Sequence, residues 1–147
     1  METLEFNIRI NANAEKVWQS LWDSENYKKW ASVFYPGSQY KTDDFAQGSR
    51  IYFISPIGDG MFSVIEKMEI NKMVVFRHLG EVKEFVEQAV TDPSKSWENA
   101  LESYKLRQEV TGTSLIVKVD ILEDFRDYMN KTFPLAIQVI KQISETI

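Results

Sequence analysis

The stretch FRDYMNKTFPLAIQVIKQISETI, residues 125–147, decides how this chain folds. Phe125, Met129, Phe133, Ala136, Ile140, Ile143 and Ile147 recur at steps of three and four. That spacing gathers side chains onto one stripe of an α-helix. Glu123 and Asp124 just ahead favour a helix N-terminus through its dipole. Pro134 lies inside the pattern, where it removes a backbone donor and crowds the preceding turn. Either the helix kinks there, or a short helix from Asp124 hands over to a longer one.

Such a stripe must be buried against something. From Ile51 to Ile121 the chain reads as short strands separated by turns. The concave face of an antiparallel sheet is the natural bed for the helix. Where the two surfaces do not mate fully, the gap is a cavity, and the N-terminal half of the helix is its expected wall.

Toward the N-terminus, Leu4, Phe6, Ile8 and Ile10 alternate with Glu5, Asn7 and Arg9, which marks a half-buried strand. Asn11 or Asn13 is placed to cap a helix whose apolar face is Val17, Trp18, Leu21 and Trp22. Asp23 or Ser24 caps a second short helix holding Tyr27 and Trp30, and Pro36-Gly37 ends it. Strands are expected over 38–42, 50–55, 61–68, 73–79, 97–110 and 114–121, about six or seven in all by the turn signals. Gly80 marks an end, and residues 81–96 read as a loop with one helical turn at most. No repeat or linker divides the chain, so residues 1–147 read as one domain of the α+β class. The predicted architecture is an antiparallel sheet wrapped around a long C-terminal helix, with two small helices after the first strand.

Composition narrows the functions. The formal charge of −5 argues against nucleic acid, whose phosphates need a basic surface. The absence of cysteine removes disulfides, thiolate metal sites and cysteine nucleophiles. Residues 1–10 lack the apolar centre of a signal peptide and no run approaches a membrane span, so a cytoplasmic protein without stable membrane insertion is expected. The Asn130-Lys131-Thr132 sequon is read as chance in that context. Nine Phe, six Tyr and four Trp exceed what a minimal core needs and would line a pocket well.

The segments NAEKVW (13–18), NYKKW (26–30), GSRIYF (48–53), ESYKL (102–106) and DYMNKTFP (127–134) are similar to those of the START-like, or SRPBCC, superfamily, which includes the birch pollen allergen. More closely, they resemble the subgroup related to a domain of the activator of the 90-kDa heat-shock chaperone ATPase. The resemblance implies the helix-grip fold and a central cavity for apolar or amphipathic molecules; some members cyclise polyketides and others assist chaperones. Asn13 departs from the proline that many relatives carry at that point. Fold alone does not choose among these activities.

His78 is the only histidine, which excludes sites built on two. Alternation sets Val74, Phe76 and His78 on one strand face, read here as concave. A histidine there is able to hydrogen-bond a ligand or move a proton; the alternative is a ring satisfied by a backbone carbonyl or by water. Glu66 is either a buried acid or, more simply, the cross-strand partner of a cation. Tyr52 and Tyr104 carry hydroxyls able to orient a polar group. Tyr104, Leu106 and Val110 share a parity that reads as inward. Trp30 and Phe34 lie where resembling folds open their pocket. The expected cavity lining is therefore Trp30, Phe34, Tyr52, Phe53, Phe76, His78, Tyr104, Met129, Phe133 and Ala136.

No phosphate loop, His-Glu-x-x-His or nucleophile elbow occurs, and neither a cofactor nor a metal is expected. The leading expectation is a non-enzymatic binder of an apolar small molecule such as a lipid, sterol or polyketide. A co-chaperone-type domain acting on a chaperone or other protein is the second, and a cyclase or hydrolase using His78 and Glu66 the third. A monomer or weak dimer is expected, since nothing in the residues requires a tighter assembly.

Overall fold

The computed structural model describes residues 1–147. Strand β1 (Glu2–Ile10) leads into helices α1 (Ala14–Trp22) and α2 (Ser24–Ala31). Seven strands follow: β2 (Gln39–Lys41), β3 (Arg50–Ile54), β4 (Gly60–Glu69), β5 (Met73–Lys83), β6 (Val86–Glu87), β7 (Leu101–Gln108) and β8 (Thr113–Ile121). Helix α3 (Arg126–Thr146) closes the chain. All strand pairs are antiparallel, in the order β1-β8-β7-β5-β4-β3-β2, with β6 added at the far end of β5. This is the helix-grip arrangement that the sequence predicts. No helix is long and apolar enough to cross a membrane.

The strands form where alternation says they should. In β5, Val74, Phe76, His78, Gly80 and Val82 are buried while their neighbours are partly exposed. β8 buries Thr113, Leu115, Val117, Val119 and Ile121 in the same way. Asn13 caps α1 by accepting from the Lys16 N–H at 2.9 Å. Asp23 caps α2 with bonds to the N–H groups of Glu25 and Asn26. Each such cap is worth about 1 kcal/mol.

Helix α3 lies on the inward face of β1, against α1 and α2. It buries Thr132, Phe133, Ala136, Ile137, Ile140 and Ser144. The buried stripe thus drifts from the strict heptad-like list: Phe125 and Ile147 are exposed, while Ile137 and Ser144 turn inward. An α-helix advances 3.6 residues per turn, so a stripe held against one surface shifts along the sequence. Phe133 stacks on Phe6 at 5.0 Å between ring centroids and meets the edge of Phe34 at 4.8 Å. The helix runs unbroken past Pro134, which faces solvent. The step that the sequence suggests at Pro134 lies instead at a 3-10 turn, Glu123–Phe125, ahead of α3.

Three boundaries differ from the sequence reading. β5 does not stop at Gly80. The β4–β5 register shifts between Phe62 and Ser63, and Gly80 pairs with Phe62 there. A Cβ on Gly80 would come within 2.8 Å of the Phe62 ring, so glycine at this place permits close approach rather than ending the strand. Residues 97–100 are not strand; β7 begins at Leu101, and Val110 lies beyond its end, fully exposed. Residues 81–87 form a hairpin rather than a loop. Lys83 pairs with Val86 across a two-residue turn in which Glu84 (φ 49°) and Phe85 (φ 67°) both occupy the left-handed region.

Tight hairpins require that conformation, and Asn-Gly supplies it with the least strain. The Glu84 N–H bond to the Asp59 carboxylate and the Phe85 N–H bond to the Gly58 carbonyl hold the strained pair in place. Replacing Glu84-Phe85 by Asn-Gly is expected to stabilise the fold by about 1 kcal/mol, read as a higher midpoint in urea unfolding at an unchanged slope. A lower midpoint would mean that the Phe85 ring contributes more than its backbone costs.

Candidate functional site

Between the N-terminal half of α3, helix α2 and the sheet lies a cavity of about 640 Å³. Its volume falls in the range of about 300–1,000 Å³ usual for small-molecule sites. Helix α2 and the chain after it contribute Tyr27, Trp30, Ala31, Phe34, Tyr35 and Ser38. The β3–β4 hairpin contributes Phe53, Ile57, Asp59 and Met61, and β5 contributes His78, Glu81, Val82 and Lys83. Trp97, Glu102, Tyr104, Val119 and Ile121 form the wall opposite. Phe125, Tyr128, Met129 and Phe133 close the helix side. Of the 27 lining residues 18 are hydrophobic, so apolar matter is the natural content. The rim is apolar as well: Tyr35, Ile57, Phe125 and Tyr128 are each more than 40% exposed. The Tyr128 hydroxyl donates to the Phe34 carbonyl at 2.7 Å and ties α3 to the chain after α2 at this rim.

The structure brings Trp30, Phe34, Phe53, His78, Tyr104, Met129 and Phe133 to the cavity wall. Tyr52, Phe76 and Ala136 are not there. Successive residues on a strand point to opposite faces, so Tyr52 and Phe53 do not share one. Tyr52 lies on the outer face, where its hydroxyl donates to Glu87 at 2.6 Å and its ring stacks near Phe62. Phe76 does face inward, but it is fully buried beneath Trp22 and Phe53, whose rings meet its own edge-on at 5.2 and 5.0 Å. Ala136 is fully buried one turn past Phe133, in the hydrophobic core. Glu66 also faces outward and accepts from Arg77 Nε at 2.8 Å, the cross-strand pairing that its setting suggests. The cyclase or hydrolase reading therefore loses one of its two proposed groups.

The polar centre of the cavity is a connected set that the sequence reading only half found. Ser63 Oγ and His78 Nδ1 are 2.6 Å apart, both buried. The other ring nitrogen, Nε2, lies 3.5 Å from Glu102 Oε1. The other Glu102 oxygen accepts from the Tyr104 hydroxyl at 2.5 Å. Glu102 was missed because carboxylates read as polar-face residues, yet its parity matches that of Tyr104 and Leu106. Ser63 was missed for the same reason, although it alternates with Ile65.

Burial raises the Tyr104 pKa well above the usual tyrosine value, and the adjacent Glu102 carboxylate pushes it further. Tyr27 is shifted upward by burial first and by Glu102 second. Both therefore stay neutral hydrogen-bond donors throughout the physiological range. Above pH 10 the unfolded chain releases these two protons and the native state does not, so stability is full below pH 10 and falls as pH rises. The urea midpoint is expected to drop between pH 9 and pH 11, with a shallower drop in Tyr27→Phe/Tyr104→Phe. In ultraviolet titration, these two phenols should ionise only as the protein unfolds; free titration of all six tyrosines near pH 10 would contradict the burial.

No family model and no curated protein matches this chain. Solved structures do. The Aha1 of Colwellia psychrerythraea, determined as a dimer, is 21% identical over 99% of this chain and 98% of that chain, with a TM-score of 0.71. Protein MLL2253 of Mesorhizobium loti is 19% identical over 97% and 96%, also with a TM-score of 0.71. DynU16, of the dynemicin biosynthetic locus, is 12% identical over 99% of this chain and 48% of its own, with a TM-score of 0.69. Likeness at these identities establishes the fold, and it bears out the helix-grip architecture that the sequence motifs imply.

Proposed function

We propose that this protein binds an apolar or amphipathic small molecule in the cavity between α3 and the sheet. One observation carries the reading: a cavity of about 640 Å³, walled mainly by hydrophobic side chains, stands open beside the buried hydrophobic core. Protein interiors are normally filled to crystal-like density, and an apolar void of this size forfeits dispersion contacts that a better-packed sequence would recover. Affinity would come from buried apolar area, roughly 25 cal/mol per Å² before ordering costs. Trp30, Phe34, Phe53, Met129 and Phe133 would supply that area, and His78 and Tyr104 the orientation. Lipid-, sterol- and polyketide-like molecules all suit such a site. The dynemicin-locus neighbour shares the fold, which agrees with a small-molecule role.

Met61 is half-buried at the cavity wall and offers a way to fill it. Met61→Trp is expected to weaken binding of the apolar probe N-phenyl-1-naphthylamine at least tenfold while the unfolding midpoint moves little. Unchanged probe binding by the folded variant would refute the cavity as the site. Native mass spectrometry of the protein purified from its own host is the companion measurement, and a stoichiometric apolar compound is the expected result.

A second reading is a partner-protein domain of the co-chaperone kind. The full-length likeness to the Colwellia Aha1 supports it, together with the sequence resemblance to the chaperone-activator subgroup. That neighbour's dimer likewise supports a dimer here. Saturating protein should then raise the ATP turnover of a purified 90-kDa heat-shock chaperone; no change in turnover would remove this reading and leave the first untouched.

A further inference from the structure

The cavity's charge is one-sided. Asp59, Glu81, Glu102 and Asp120 line it, against Lys83 alone. Lys83 and Asp59 are exposed at the rim, so the interior holds no cation from Lys or Arg. Asp120 is occupied elsewhere, its two oxygens accepting from the Thr3 hydroxyl and the Leu101 N–H. Glu102 differs. It reaches the cavity with a side chain one-quarter exposed, and no lysine or arginine pairs with it. Its protein partners are the Tyr104 hydroxyl and the His78 ring. A carboxylate accepts about four hydrogen bonds in all, so acceptor capacity remains on the cavity side.

The walls around it are aromatic. Tyr27 and Trp30 meet edge-on at 4.9 Å, Trp30 and Tyr104 lie 5.9 Å apart, and Tyr27 and Phe53 lie 6.2 Å apart. Phe53 in turn stands edge-on to His78 at 6.5 Å. The negative faces of such rings attract cations. The 2.5 Å bond from the Tyr104 hydroxyl ties the Glu102 carboxylate to this aromatic group.

We infer that the ligand carries a protonated amine or quaternary ammonium head, which seats against Glu102 inside the ring of Tyr27, Trp30, Phe53 and Tyr104 while its apolar body fills the space toward α3. The inference rests on the cavity-binding reading and narrows it. An acid head such as a fatty carboxylate would face Glu102 as a like charge with no lysine or arginine inside the cavity to receive it, and burying it there is disfavoured. A neutral alcohol gains one hydrogen bond from the same group and no ion pair.

Three probes with the same ten-carbon chain separate these cases: decylamine, decanol and decanoate, titrated calorimetrically at pH 7 below their aggregation concentrations. Decylamine is expected to bind at least tenfold tighter than decanol, and decanoate weakest. Glu102→Gln keeps the shape of the side chain and the Tyr104 bond; it should erase the amine's advantage and leave decanol within about twofold. Decanoate binding as tightly as decylamine, or decylamine unaffected by Glu102→Gln, would overturn the inference while leaving an apolar cavity intact. If none of the three binds the wild-type protein, the cavity-binding reading itself falls, and this inference with it. Should Glu102→Gln fail to fold, the ranking of the three probes on the wild-type protein decides the matter alone.

Discussion

The stacking of Phe133 on Phe6, with the edge of Phe34 against it, fixes where the long helix touches the sheet. Toward the C-terminus from that point, Ala136, Ile137 and Ile140 are buried and the two surfaces meet. Toward the N-terminus, Met129 is only partly buried and Phe125 is exposed, and there the cavity opens. A phenylalanine buried in this way contributes about 2–3 kcal/mol of transfer free energy, and the aromatic pairs add about 1 kcal/mol each. The stack therefore acts as a pivot: it is strong enough to pin the helix, yet local enough to leave one half unfilled. A smaller side chain at this place would remove the boundary between closed core and open cavity.

Much of this was legible in the sequence because two periodicities suffice for it. Alternation in residues 4–10, 74–78 and 115–121 gave the strands and their inward faces. Steps of three and four in residues 125–147 gave the helix. What escaped was set by neighbours distant in sequence. The hairpin at Glu84-Phe85 lacks the usual turn residues and is held by Asp59 and Gly58, more than twenty residues away. The bulged pairing that carries β5 through Gly80 depends on the Phe62 ring across the ladder. The drift of the helical stripe depends on which surface receives it.

The site was legible in its apolar part and not in its polar part. Large residues with inward parity are expected in a wall, and Trp30, Phe53 and Phe133 needed no more than that. Phe76 and Ala136 share the inward parity yet lie in the closed core, because parity says which face a residue takes and not how deep the overlying layer is. Tyr52 fails on parity itself. Glu102 passes on parity but is not named among the expected wall residues, and a carboxylate on an inward face is among the less expected placements a strand can show. An expectation built on residue type therefore discounts the very residue whose placement departs most from its type.

Several departures of this kind lie near the cavity, while left-handed Asn71 sits apart from them in the β4–β5 turn. The left-handed Glu84 and Phe85 flank the rim, and the left-handed Asn99 donates its N–H to the His78 carbonyl behind the cavity wall. Glu102, His78 and Ser63 bring polar groups beneath an otherwise apolar surface. At the opposite end, where α1, α3 and the sheet close on Leu21, Leu115 and Ile140, buried apolar packing predominates. Trp22, whose buried indole N–H has no hydrogen-bond partner, sits where the two ends join, its ring meeting Tyr104 edge-on at 4.9 Å. Each local departure costs on the order of 1 kcal/mol or more. A chain with a net stability of about 5–15 kcal/mol tolerates few of them. Several of these costs are borne beside the cavity rather than within the apolar core.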